Sequence, residues 1–296
     1  RPMRRKAMKK LIIEVRMNEA AKKADNPNVP YTPDEIVADA VACAEAGAAV
    51  VHFHARNADG TESNRIEDYR QILAGIRAKA DVMAHPTLGL FHGADPDQRL
   101  AHIRDLSEHS NLRPDIAPLD MGSNNVDRWD EAAKDFRGEG FVYRNATADL
   151  RSMAEQLKAW GVKPEIALWN VANGRLMGRF IDAGLLTEPV LALLTLAGEE
   201  HPWGHAATSA GLRAYVDNLP DRRIEWTVLC HGANLLKLAP EIIALGGHIS
   251  IGLGDYAYRE FGRPANADLV RRVKEIATTM GREVATPREA RELLEA

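Results

Sequence analysis

Short apolar runs alternate along the chain with longer segments in which apolar residues return at helical spacing. The runs cover residues 11–15, 49–54, 81–85, 115–119, 165–169, 190–194, 225–229 and 248–252. Each is brief, partly β-branched and bounded by turn residues, which predicts buried parallel strands. Helices are expected between them over 32–46, 66–80, 96–109, 147–160, 174–183, 207–219, 233–245 and 267–280. The first carries a full set of end signals: Thr32 as cap, Pro33 at the first position, Glu35 to close a capping box and Gly47 to stop it. Eight strand–helix units of about 37 residues each suit a (β/α)8 TIM barrel better than two doubly wound domains. The reading is an α/β single-domain barrel over 11–296, preceded by an N-terminal extension over 1–10 in which the residues before Met8 read either as native, as additions ahead of the native start or as processing remnants. One surplus run, 140–144, follows the fourth unit and is expected to form an extra hairpin at the barrel mouth.

Composition narrows the partners. Of 296 residues, 45% are hydrophobic and 27% charged, as in a globular protein. The net charge of −4 gives no field for nucleic acid or an anionic membrane, and neither partner is expected. Cys43 and Cys230 form no closely spaced pair, which argues against a disulfide framework or a thiolate zinc site and points to the reducing cytoplasm. The apolar run at 11–15 is too short for a signal-peptide core or a membrane span.

A barrel places its working residues at the C-terminal ends of strands and in the loops that follow. His52 and His54 lie two apart at the end of the second run, so both imidazoles point to one side and can face one divalent metal ion. Hydrogen-bonded capping of the core is the alternative. Glu19, Thr87, Asp120, Asn170 and Asp255 follow other strands and should converge on the same mouth. Asp120 has a turn-capping role as its equal alternative, and Glu14, inside the first strand, an ion-pair role. His85, His201, His205 and His231 stand singly and read as hydrogen-bonded structural side chains. Gly246–Gly247 and Gly252, Gly254 bracket the last strand, where exposed backbone N–H groups could cradle a phosphate or simply make turns. No GxGxxG opens a helix and no GxxxxGK[ST] occurs, which leaves dinucleotide and P-loop cofactors without support.

The segment Asn26-Pro27 to Glu35, with Pro30 and Thr32, followed by His52-x-His54-x-Arg56 and Asp59-Gly60, resembles the β-keto acid cleavage enzymes. The likeness continues through Pro86-Thr87, Leu119 to Gly122, Trp226 to Val228, Gly246 to His248 and the C-terminal stretch from Gly281 to Arg291. The resemblance implies a zinc-dependent barrel acyltransferase, cytoplasmic and homo-oligomeric. Such an enzyme condenses a small β-keto acid with acetyl-CoA and releases acetoacetate and a new CoA thioester. It maps metal ligands to His52 and His54, an early glutamate to Glu19, a small hydroxyl residue to Thr87 and the late aspartate base to Asp255. Asp120 and Asn170 join Thr87 as expected substrate contacts.

The chain departs from the family pattern at two positions. The usual third metal ligand, a glutamate, falls on Gly254, and an arginine falls on Ser250. Either a substitute completes the site (Glu19, Asp255, His85 or water), or the barrel binds CoA or another small molecule without a metal or without turnover. On the first account a glutamate restored at 254 should tighten metal binding. A HxH metallohydrolase is a further alternative. It calls for histidines where Trp169-Asn170 and Thr195-Leu196 stand.

Overall fold

The computed structural model describes residues 8–88, 95–138 and 140–296. Eight parallel strands form the barrel: β1 (Ile13–Arg16), β2 (Val50–Phe53), β3 (Met83–Pro86), β4 (Ile116–Met121), β5 (Lys163–Leu168), β6 (Val190–Ala197), β7 (Ile224–His231) and β8 (His248–Ile251). Their hydrogen-bonded order runs β3-β2-β1-β8-β7-β6-β5-β4. At the remaining seam, between β3 and β4, the Asp115 amide donates to the Ala84 carbonyl at 3.1 Å. The Asp115 carboxylate in turn accepts from the Ala84 amide at 2.8 Å, so a side chain takes over part of the ladder. The (β/α)8 architecture expected from the alternation of runs is the one observed.

The helices are α1 (Pro33–Ala46), α2 (Ile66–Lys79), α3 (Pro96–Arg99), α4 (Ala101–Ser107), α5 (Thr147–Trp160), α6 (Val171–Asp182), α7 (Ser209–Val216), α8 (Ala239–Ala244), α9 (Asn266–Thr279) and α10 (Pro287–Leu294). In α1 the Thr32–Glu35 capping box and the left-handed Gly47 are both present. Three differences from the sequence reading have physical causes. The helix expected from 174 starts at Val171, because Asn170 and Asn173 make a reciprocal capping box ahead of it. The helix expected over 96–109 breaks at Leu100 into α3 and α4. The C-terminal α10 was not among the expected helices. Its Ala290 and Leu294 pack with Ile12, Val50, Met83, Ile116 and Leu191, which closes the N-terminal end of the barrel with apolar contacts.

The surplus run at 140–144 does form an antiparallel pair, Val142–Tyr143 with Asn124–Asn125. A second hairpin, Arg128–Asp130 with Asp135–Arg137, lies in the same insertion. Above the apolar floor the barrel interior turns polar: Glu14, His85, Glu165 and Ser250 are all buried there. Among the described residues no helix is long and apolar enough to cross a membrane.

Candidate active site

The first strand sets the charges. Glu14 and Arg16 alternate along β1 and both enter the barrel, and Arg16 pairs in register with His52 on β2. The Arg16 guanidinium is 2.7 Å from Glu19 Oε1, 3.4 Å from Asp255 Oδ2 and 3.8 Å from Glu165 Oε2. Burial alone would push its pKa down, but Glu19 and Asp255 outweigh that and hold the guanidinium charged. Sequence reasoning missed Arg16 as a site residue. The signal was available, since a second charge two residues after Glu14 in an otherwise apolar run must share its inward face.

The loop after β1 then delivers Glu19 to the histidines. Asn18 grips the His54 backbone in both directions, its amide donating to the His54 carbonyl and its side-chain oxygen accepting from the His54 N–H, both at 2.9 Å. Arg56 ties the same turn down, donating to the Ala21 carbonyl at 2.6 Å and to the Gly60 carbonyl at 2.9 Å. Its guanidinium lies over the Tyr31 ring, and Gly60 sits against the same ring with φ of +85°, where a side chain would collide. The arginine of HxHxR and the glycine after it thus build the turn that aims Glu19. Glu19 itself has φ of +32°, an uncommon backbone state for a residue with a side chain and one that clusters at functional positions.

Glu19 Oε1 is 3.0 Å from His52 Nε2 and Oε2 is 2.5 Å from His54 Nε2. Despite these separations Glu19 Oε1 and both Nε2 atoms are buried without hydrogen-bond geometry to any partner. Buried polar atoms left in that state are rare, and three of them directed at one another are the donor set of a cation site. Burial, reinforced by Arg16, pushes His52 down to about 3, which keeps its imidazole neutral as a ligand must be. Burial pushes Glu19 up, but Arg16 and the two histidines overcome it and hold the carboxylate ionised. The donor set therefore fits a divalent ion such as zinc.

Asp255, just beyond β8, stands between Arg16 and His231, whose Nδ1 is 3.4 Å from Asp255 Oδ1. Burial raises its pKa against the opposing effect of His231 and Arg16. Below it lies the polar layer. His85 Nδ1 pairs with Glu14 at 2.7 Å, and the Ser250 hydroxyl donates to the same carboxylate at 2.7 Å. Burial and the neighbouring Glu14 push Glu165 well up, against the opposing effect of Arg16.

The other expected residues divide. Thr87 is buried just past β3, its amide donating to the Phe53 carbonyl and its own carbonyl accepting from His102. Asp120 accepts from the Tyr143 hydroxyl of the inserted ribbon. The Asn170 side-chain oxygen caps α6 at 3.2 Å from the Asn173 amide. His205 accepts from the Val171 amide, and His201 packs edge-on against His231 with ring centroids 4.6 Å apart. The Gly246 and Gly247 amides are not exposed for a phosphate: they donate to the Ile243 and Ile242 carbonyls at 3.2 and 3.0 Å, and the two carbonyls accept from the buried Arg282. Gly252 is required where the Arg16 backbone passes too close for any side chain. A rim of aromatic rings, Tyr143, Trp169 and Trp203, spaced 5.5 and 5.1 Å apart, was also missed.

Fold and geometry define a TIM-barrel protein with two histidines and a glutamate gathered at the C-terminal end of its strands. The sequence profile of the beta-keto acid cleavage enzymes matches residues 10–295, and the chain belongs to that family. It is 31% identical over 291 residues to the 3-keto-5-aminohexanoate cleavage enzyme of Fusobacterium nucleatum, covering 97% of this chain and 98% of that one. It is 30% identical to a 3-dehydrocarnitine:acetyl-CoA trimethylamine transferase of Rhizobium meliloti, with 90% of each chain covered. Among solved structures, apo ObcA shares the fold at a TM-score of 0.73 and 20% identity, over 91% of this chain and 66% of that one.

Proposed function

We propose that the protein cleaves a small β-keto acid in an acetyl-CoA-dependent reaction, yielding acetoacetate and a new acyl-CoA. The observation that carries this reading is the Glu19–His52–His54 donor set beside an Arg16–Asp255 pair, in a chain whose relatives act on keto acids or use acetyl-CoA by name. His52 and His54, with Glu19 beside them, would hold a divalent ion, most simply zinc, which when bound would polarise the keto oxygen and acidify the neighbouring CH2 group. Asp255 accepts a proton from C2 of the keto acid, and its raised pKa suits a group that must later return that proton. C2 forms a bond to the thioester carbonyl of acetyl-CoA, whose C–S bond breaks to release CoA as the thiolate. That sulfur adds to the C3 carbonyl, the bond between C2 and C3 breaks to leave the new acyl-CoA, and Asp255 gives the proton back to C2 of the departing acetoacetate. Arg16 keeps Asp255 placed and ionised for the first transfer. Thr87, Asp120 and Asn170, past or near the ends of β3, β4 and β5, contact the keto acid, Asn170 through its amide nitrogen.

The reading includes a homo-oligomer in a cytoplasmic setting. Phe136 and Val142, exposed on the inserted ribbon, are the apolar surface such an assembly would cover, and both cysteines are free and buried. Light scattering checks the assembly.

The chemistry is tested by incubating the zinc-loaded protein with acetyl-CoA, 13C-labelled in its acetyl group, and a panel of β-keto acids. Acetoacetate labelled at C3 and C4, with stoichiometric acyl-CoA, is expected from at least one. No acetoacetate across the panel, or only unlabelled product, would contradict the proposal. Stabilisation by CoA esters without product would favour a noncatalytic binder instead.

A further inference from the structure

We infer that the third protein ligand of the metal is Glu19, supplied by the loop after β1, and that it can serve only because position 254 is glycine. This rests on the reading above that the site takes a divalent ion. Three observations carry it.

First, Glu19 Oε1 and Oε2 each lie against one imidazole Nε2, and Oε1 and both nitrogens are buried without a hydrogen-bond partner. A carboxylate held there by a left-handed backbone and by Asn18 and Arg56 is positioned for those rings. Second, the space is exclusive. A Cβ built on Gly254 would run into Glu19 Cγ, with the Arg16 carbonyl and the Glu19 amide nitrogen both at 3.0 Å. β1 and β8 are neighbours in register, Val15 opposite Ile251, so a side chain at 254 and Glu19 in its present position cannot share the space beside the two rings. Third, among the described residues neither other protein substitute gathers with the pair: Asp255 is directed to Arg16 and His231, His85 groups with Glu14 and Glu165 in the layer below, and Glu19 alone forms a compact donor group with His52 and His54. The expectation that a glutamate restored at 254 would tighten metal binding is therefore reversed in this chain, because the added side chain must first displace Glu19.

The working arginine follows the same geometry. Ser250 on β8 is small and donates to Glu14, while the guanidinium that meets Asp255 arrives from Arg16 on β1. Both charged groups beside the histidines thus come from the first strand and its loop rather than from the last.

The test is zinc affinity of the metal-stripped full-length protein, measured by competition with a chromophoric chelator, together with the visible spectrum of the cobalt form. Wild type, Glu19→Gln, Gly254→Glu and the double variant Glu19→Gly/Gly254→Glu are compared, with folding checked by circular dichroism. Glu19→Gln should bind zinc at least about 100-fold more weakly, beyond the usual cost of losing an outer-shell partner, and should change the cobalt bands. Gly254→Glu alone should not tighten binding. The double variant should return to within about tenfold of wild type, since the carboxylate is handed back to β8. Wild-type affinity in Glu19→Gln, or a gain in Gly254→Glu alone, would overturn the assignment while leaving a metal enzyme in place. A wild-type protein that takes up neither zinc nor cobalt would instead defeat the metal reading beneath it, and this assignment with it.

Discussion

Asp255 has the environment of a proton acceptor, buried enough to be raised yet close enough to Arg16 to ionise. Asp255→Asn keeps the shape and removes the base. It should lower turnover by about 100- to 10,000-fold with zinc affinity and melting temperature near wild type, and unchanged turnover would remove Asp255 from the mechanism. His102 offers a separate residue-scale test away from the chemistry. Stacked on Tyr69 and bonded to the Thr87 carbonyl, it is held by burial at a pKa of about 4. In the unfolded chain it titrates near 6.5, so between about pH 6.5 and pH 4 the unfolded state takes a proton that the folded state refuses. Stability should fall by ~1.4 kcal/mol per pH unit from this group over that window. Urea unfolding of His102→Gln at pH 7.5, 6 and 5 should lack that slope, and an identical slope would contradict the assignment. At this scale the pairing of His52 and His54 was legible, because a period of two fixes which side chains share a face. The contact of Glu19 with both rings was not, since it depends on a left-handed backbone residue that no local pattern announces.

Among elements, α1 was readable to its last residue because its caps are local chemistry. Thr286, Pro287 and Glu289 repeat the same signal ahead of α10. What cannot be read locally is where α10 docks, since its contacts are with residues of four strands and with Ile12 just ahead of β1, all far away in the chain. Leu294 is fully buried in that floor. Leu294→Ala should cost about 2–4 kcal/mol in chemical denaturation while leaving zinc affinity unaltered, because the floor and the His52–His54 pair are at opposite ends of the barrel. Loss of metal along with stability would show that the two ends are coupled. The split between α3 and α4 and the added hairpin at 128–137 were likewise hidden, being set by packing and by an insertion without strong periodicity.

For the whole molecule, the eightfold alternation of runs and helices was enough to specify the barrel, because parallel strands buried on both faces leave near-continuous apolar segments. The same burial concealed the polar layer of Glu14, Arg16, His85 and Glu165, whose residues look like interruptions in strands rather than parts of one network. The architecture brings β1 and β8 side by side and so lets the first strand furnish charges to a site that closes at the last. The most direct measurement is anomalous diffraction at the zinc edge from crystals grown without chelator. The account predicts one peak ~2.0–2.1 Å from Nε2 of both His52 and His54, with a Glu19 oxygen at similar distance. Crystals grown in excess zinc that show no peak there, with the two rings bonded only to protein groups, would contradict it.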